Sequence, residues 1–346
     1  MPEIKHDILA MVDRLAPTVR RAFLQSVADI KGEAQQIAVI SALNNGDIEG
    51  AIQLLNLRPE LFGPLDDAIR AAYYQGGVEA MRALPRLPDP LSAGRLVARF
   101  DARNPRAEEW LTRFSSNLIV EITDAQVAMV RERLTANMIA GVSPRSAALD
   151  LVGRTNKLTG RREGGVIGLD SNRLAQADRA FAQLRSGDPG QMRAYLNRRM
   201  RDRRLDSVVR AAIRDGKPVS AADARRLTGR LTQRLLRDRG ETIARTELLG
   251  ALHAAQDEGL EQLIENGQIT REQVTSEWDA ANDSATRDSH RAMDGQIADD
   301  QGIFTTGAGY RMRHPGDRSL GAPAEEIIKC RCRKRTSIDH LAGLAV

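Results

Sequence analysis

The chain has 346 residues and a mass of 38.0 kDa, too much for one small core and enough for two domains. Hydrophobic residues at 42% and charged ones at 28% exclude a disordered chain, and no run approaches the roughly 20 apolar residues of a membrane span. Met1-Pro2-Glu3-Ile4-Lys5-His6-Asp7 lacks the basic-then-apolar order of a secretory leader, so export by that route is not expected. Two cysteines exclude a disulfide framework. They are Cys330 and Cys332, and a bridge across one residue would strain the backbone. The pair is therefore expected as thiols in a reducing compartment, free or bound to something.

The net charge of +5 conceals an asymmetry. From Arg193 to Arg245 the chain carries 15 Arg and one Lys against six acids; from Thr246 to Asp300 it carries three Arg against 13 acids. The excess of Arg over Lys follows from codon usage alone, but a basic stretch followed by an acidic one does not.

Taken in order, the first eighty residues read as short helices. Ile37, Ile40, Ala42 and Leu43 recur at helical spacing, and Asn44-Asn45-Gly46-Asp47 supplies a stop and a fresh cap. Leu61-Phe62-Gly63-Pro64 breaks the chain before an Ala-rich helix over 66–81. Pro85, Pro88 and Pro90 remove backbone donors and bias their predecessors away from helix, marking a linker over 85–91. A long helix is predicted over 105–140, with Ser143 and Pro144 as cap and first position of the next. The Gly-rich segment 153–168 reads as a mobile loop or a small turn-rich insertion. Helices resume at Ser171, punctuated by Gly187-Asp188-Pro189 and Asp215-Gly216-Lys217-Pro218. Ser220 to Asp223 and Thr270 to Gln273 have capping-box spacing. Beyond Asp300 the segments are short and β-prone. The expected fold is mostly α (α+β), with a helical N-terminal region (1–84), the Pro-rich linker, a helical middle region (92–230) and a C-terminal module with β structure (231–346).

Three constellations bear on chemistry. If 278–290 is helical, Asp279, Asp283, Thr286 and His290 share one face, either solvated or turned into a polar cluster, with Asp294-Gly295 as the stop. Cys330 and Cys332, with His290 and Asp283, form a candidate N/O/S set for Zn²⁺; the competing reading is a pair of buried thiols, and no cofactor at all. His314 is a further candidate ligand or a turn residue. In one strand Arg331, Arg333 and Arg335 would present three guanidinium groups on one face, suited to phosphate, or serve as a charged edge. Arg198, Arg199, Arg201, Arg203 and Arg204 form the densest basic patch, wrapping a helix and meeting either nucleic acid or the acidic segment downstream. Tyr195 is the one aromatic nearby, which disfavours base stacking. Phosphate-loop, nucleophile-elbow and His-Glu-x-x-His patterns are missing from the sequence.

One resemblance ties these pieces together. Arg237-Asp238-Arg239-Gly240-Glu241-Thr242-Ile243-Ala244-Arg245-Thr246-Glu247 is similar to a signature of the phage Mu F-like head morphogenesis family. Trp278, Asp283, Arg287, His290, Asp294-Gly295, Pro315-Gly316-Asp317, Glu325-Glu326-Ile327-Ile328 and Cys330-Arg331-Cys332 follow in the order of that family, over roughly residues 231–335. The resemblance implies a minor head protein of a tailed phage or prophage, assembled in the bacterial host cytoplasm and carried in the virion. Its implied partners are the portal protein, major capsid or scaffolding protein, and double-stranded DNA during packaging or delivery; no membrane partner is implied. It supplies no catalytic residues. On a helix Arg245 and Glu247 lie about 200° apart and must meet different partners. Two rival readings stand beside this one: a small nuclease or transferase built on His290, Asp283 and Glu247, whose side chains would have to converge in an open cleft, and a general DNA-binding protein.

Overall fold

The structure is a computed structural model that describes residues 3–4, 6–85, 94, 96–155, 160, 162–339 and 342. Most of the expected linker (86–91) lies outside the described residues, as do 156–159 and 161 of the Gly-rich segment. The chain is mostly α. Its helices are α1 (Ile8–Glu33), α2 (Gln36–Asn44), α3 (Ile48–Leu54), α4 (Gly63–Arg82), α5 (Pro105–Ile139), α6 (Pro144–Val152), α7 (Ser171–Arg185), α8 (Pro189–Leu196), α9 (Asp206–Arg214), α10 (Ala221–Glu265), α11 (Asp288–Arg291) and α12 (Ala324–Ile327). Among the described residues six short strands accompany them: β1 (Arg154–Thr155), β2 (Arg162–Glu163), β3 (Val274–Asp279), β4 (Phe304–Thr305), β5 (Arg311–Met312) and β6 (Arg333–Ile338).

Several boundaries follow from local chemistry. Asp47, Ser143, Asp170 and Asp188 each accept a hydrogen bond from a first-turn amide of the following helix, filling donors that have no intrahelical partner. Ser220 Oγ accepts from the Asp223 amide at 3.0 Å, the N-cap half of the expected box, and donates to the Asp223 carboxylate at 2.8 Å. At Thr270 the reciprocal bond runs from its amide to Gln273 Oε1 at 3.0 Å, and the box opens a single 3₁₀ turn, Arg271–Gln273.

By contact the chain falls into two units: residues 1–20, 66–116 and 241–346, and residues 21–65 and 117–240. Residue 231, an expected boundary, lies inside the continuous α10. In the second unit, Phe23 and Phe62 stack with ring centroids 6.4 Å apart, and the Arg239 guanidinium lies 5.7 Å from the Phe23 ring centre. Arg239 is buried, donates to the Gly168 carbonyl at 2.8 Å, and has its pKa lowered by burial to about 10. The Gly168 amide donates to Gln126 Oε1 at 2.6 Å, and the Lys31 ammonium donates to the Gly164 carbonyl at 2.8 Å. These bonds tie the described part of 153–168 to α1, α5 and α10, in keeping with a turn-rich insertion. Arg154–Thr155 pairs antiparallel with Arg162–Glu163, and Val166, Ile167 and Leu169 are buried. Apolar residues and two buried partners fix the end of the segment despite its glycines.

In the first unit, Tyr73, Trp110 and Phe114 stack in series at 4.9 and 4.5 Å between centroids. Ile4, Ala80, Met81, Leu260, Leu263, Ile269 and Ile338 form a buried apolar cluster that joins α4, α10 and β6. The strands β3 and β6 pair antiparallel from Val274↔Ile338 to Asp279↔Arg333. Single bridges add Glu3 beside Ser337 and Ile297 beside Glu277, so the pair is flanked on both edges. Along β6 the period of two sends Lys334, Thr336 and Ile338 inward and Arg335 outward.

Candidate functional site

The site sits in the first unit, where residues 278–291 and 326–334 meet the second half of α10. The expected helix over 278–290 is corrected here. Trp278 and Asp279 end β3, residues 280–287 form a loop, and only Asp288–Arg291 is helical. The sheet pairing of Trp278 and Asp279 with Lys334 and Arg333 overrides the helical spacing of the polar residues. Asn282, at φ 51, starts the loop, and Asp294 fixes it by accepting from the Ala280 amide at 2.9 Å and Asn282 Nδ2 at 2.7 Å. Asp283 accepts from the Ala285 amide at 2.9 Å and Thr286 Oγ1 at 3.2 Å. It also receives both Arg331 terminal nitrogens, at 2.6 and 2.7 Å. Those amide and guanidinium donors hold the Asp283 carboxyl below its ordinary pKa.

His290 is buried, its ring set edge-on to Trp278 with centroids 5.2 Å apart. Its Nδ1 lies 3.4 Å from Cys330 Sγ and 3.5 Å from Cys332 Sγ. Its Nε2 lies 2.9 Å from Glu326 Oε2, close enough for a charge-assisted contact but not aligned as a hydrogen bond. Glu326 is itself buried and accepts from Ser289 Oγ at 2.8 Å. Both cysteines are buried and unbridged. The neighbouring sulfur and burial push the Cys330 thiol well up, and the neighbouring sulfur draws the Cys332 thiol down. His290, hydrogen-bonded to Cys332, works in the same direction on that sulfur. A small pocket opens beside the three side chains, lined further by Ala281, Thr286, Arg287, Lys329 and Arg331.

The turn that presents the cysteines is held from two sides. Lys329 has φ 56, a left-handed conformation uncommon for a residue with a Cβ, and its amide donates to Thr246 Oγ1 at 3.2 Å. The Arg287 guanidinium donates to the Ile328 carbonyl. Cys330 to Cys332 thus precede β6 instead of lying in it. Arg331, Arg333 and Arg335 do not form one phosphate-facing row. Arg331 pairs with Asp283; Arg333 and Arg335 close on Asp279 at 2.5 and 3.2 Å.

Helix α10 supplies the other half of the signature. Arg245 pairs with Asp13 at 2.7 Å and Glu241 at 3.7 Å, whereas buried Glu247 pairs with Arg318 at 2.6 Å, as the angular separation requires. One turn on, Gly250 abuts Gly316: a Cβ on Gly250 would lie 3.0 Å from the Gly316 carbonyl oxygen. Asp317 seals that turn by accepting from the Arg313 and Ser319 amides at 2.8 and 2.7 Å. His314 stacks on His253 with centroids 5.5 Å apart and stands apart from the thiols. His253 Nε2 accepts from the Lys334 amide at 3.1 Å, so its Nδ1 carries the proton donated to the Leu249 carbonyl at 2.9 Å. Complete burial holds its pKa well below the ordinary value. His253, Glu326 and Gln256, whose amide donates to Thr336 Oγ1 at 3.1 Å, are polar residues buried here that sequence reasoning missed. Glu326 belongs to the Glu325-Glu326-Ile327-Ile328 stretch of the family order, which by itself assigns it no role; His253 and Gln256 carry no signal beyond being polar on an apolar helix.

Among the metal-ligand candidates the structure gathers His290, Cys330 and Cys332, whose ligand atoms all lie within 4.8 Å of one another, and leaves Asp283 outside with Arg331. The trio required by the enzyme reading is not gathered. His290 faces thiols and Glu326, Asp283 faces Arg331, and Glu247 faces Arg318.

In the second unit the basic patch is not a helix. Residues 197–202 turn, and Arg203–Leu205 is a single 3₁₀ turn. Arg201 binds buried Asp206 at 3.0 Å, Arg204 and Arg234 bind buried Asp202 at 2.8 and 3.2 Å, and Arg198 donates to Gln183. The acids that compensate these arginines lie within the same stretch. Arg199, Arg203 and Arg204 are exposed.

No curated protein matches the chain, and no solved structure does. A family model described as Phage Mu protein F like protein matches residues 190–335, which takes in the signature residues and extends upstream over the basic segment. Residues 190–335 are thus similar to the Phage Mu protein F like family, over rather less than half of the chain.

Proposed function

We propose that the chain is a structural component of a phage or prophage head, acting in head assembly beside the portal and carried in the virion. The observation that supports this reading most is where the signature residues are used. Arg245, Thr246, Glu247, Asp294, Gly316 and Asp317 all engage other parts of their own fold. A module whose distinguishing residues fix its own shape suits a part that holds other molecules in register better than one that transforms them. Its partners in this reading are other head proteins: the portal, then major capsid or scaffolding protein.

A contact with packaged double-stranded DNA is a finer proposal, supported by exposed Arg199, Arg203 and Arg204, with Arg225, Arg226 and Arg230 exposed on α10. Such contact reads phosphate, not sequence, and weakens steeply with salt. Deletion of the gene from an inducible prophage tests the assembly role. Infectious heads are expected to be lost and restored by the wild-type chain in trans; undiminished heads of normal composition would overturn it.

A further inference from the structure

We infer that His290 Nδ1, Cys330 Sγ and Cys332 Sγ bind one Zn²⁺ ion, with water in the fourth position. The inference concerns the isolated chain and does not rest on the head-assembly role.

The distances carry it first. With Zn–S bonds of about 2.3 Å and Zn–N bonds of about 2.0 Å at a tetrahedral angle, ligand nitrogen and sulfur lie about 3.5 Å apart. The two observed separations are 3.4 and 3.5 Å. One ring nitrogen placed at that distance from two sulfurs makes only weak hydrogen bonds with either, yet its placement suits both toward a shared ion.

The surroundings carry it next. A zinc-bound histidine characteristically directs its other ring N–H at a carboxylate, which fixes tautomer and ring angle. Glu326 Oε2 lies 2.9 Å from His290 Nε2, off the line of that N–H yet near enough to bias the tautomer by its charge, and Ser289 Oγ holds the carboxylate in turn at 2.8 Å. Trp278 bounds the ring from its edge. On the thiol side, the left-handed turn at Lys329 is tied to Thr246, and Arg287 grips the Ile328 carbonyl. These bonds aim both sulfurs at one point, at the cost of an uncommon backbone conformation. The pocket beside them gives an entry path and room for the fourth, solvent ligand. Two thiolates and an imidazole in tetrahedral array select zinc over the hard cations. On binding, the ion displaces the thiol protons to solvent and leaves His290 neutral, its remaining proton on Nε2 toward Glu326. The ion then ties α11 to the turn before β6, alongside the Arg331–Asp283 and Arg287–Ile328 links made by the loop before α11.

The test uses the full chain, reduced, stripped with a chelator, reconstituted with zinc sulfate and dialysed against metal-free buffer. Elemental analysis should give about one zinc per chain, and thermal unfolding should shift upward with zinc. Cobalt(II) in its place should show tetrahedral d–d bands and a thiolate charge-transfer band. Cys330→Ala, Cys332→Ala and His290→Ala should each lose at least about tenfold in zinc affinity, while Asp283→Asn keeps its zinc. No retained zinc and no cobalt–thiolate band in the wild-type chain, which depends on no variant folding, would overturn the inference and leave the cysteines as buried packing groups. Equal zinc retention by the Cys and His variants, or its loss in Asp283→Asn, would overturn the ligand assignment.

Discussion

Replacing Gly316 by alanine separates two effects that sequence alone cannot. Gly316 has φ 89, and a Cβ there would lie 2.9 Å from the Gly250 amide nitrogen and 3.1 Å from its Cα. A left-handed conformation costs an alanine about 1 kcal/mol. The overlap falls on the backbone of a buried helix turn, which cannot swing aside as a side chain would, and overpacking of that kind adds about 2 kcal/mol. Gly302 is the control. Its φ is 73 and a Cβ there would meet nothing within 4 Å, so Gly302→Ala should cost about 1 kcal/mol and Gly316→Ala about 3 kcal/mol. Urea unfolding followed by tryptophan fluorescence reads the difference, because Trp110 and Trp278 both lie in the unit that contains the two glycines. Equal losses for the two variants would refute the close approach of α10 to the Pro315-Gly316-Asp317 turn. Gly250→Ala extends the test: the helix-propensity gain of about 1 kcal/mol should be cancelled by the 3.0 Å contact with the Gly316 carbonyl.

Three further outcomes are expected. Lys31 is buried and its pKa falls from 10.5 to about 8; the unfolded chain then binds the extra proton between those values, so stability should rise by about 3 kcal/mol from pH 8 to 10.5. Lys31→Met should lose that rise in paired denaturation curves, and a wild-type curve as flat as the variant's would contradict the assignment. Glu247→Ala should cost about 3 kcal/mol, because it leaves the half-buried Arg318 without its carboxylate; recovery of part of that loss in Glu247→Leu with Arg318→Met would show the pair itself, and an unchanged urea midpoint in the single variant would exclude it. Duplex DNA binding by the full chain should weaken with salt and lose slope in Arg199→Gln with Arg203→Gln, read by fluorescence anisotropy; a slope unchanged by both would place any DNA contact elsewhere.

The helical character was legible because periodicity and caps are local. Asp47, Ser143, Asp170 and Asp188 announce helix starts by chemistry that acts within three residues. The same reasoning failed over 278–290, where helical spacing of Asp279, Asp283 and His290 is incidental and pairing with β6, more than fifty residues away, decides the conformation. The partners of the arginines were not legible for a related reason: composition reveals charge but not which acid each guanidinium meets, although Asp202, Asp206, Asp279 and Asp283 were already in the sequence. At the candidate site, His290 and the Cys pair were legible as residue types. Their convergence was expected as a set with Asp283; the capture of Asp283 by Arg331 and the place of Glu326 behind the imidazole were not legible, since both depend on loop geometry that no local pattern encodes.

The head-protein role is tested most directly by quantitative mass spectrometry of purified procapsids and mature particles from an induced prophage that encodes the chain. A structural head component is expected in at least one particle type at a fixed ratio to the portal protein. Its absence from both, with the chain present in the lysate, would contradict that role.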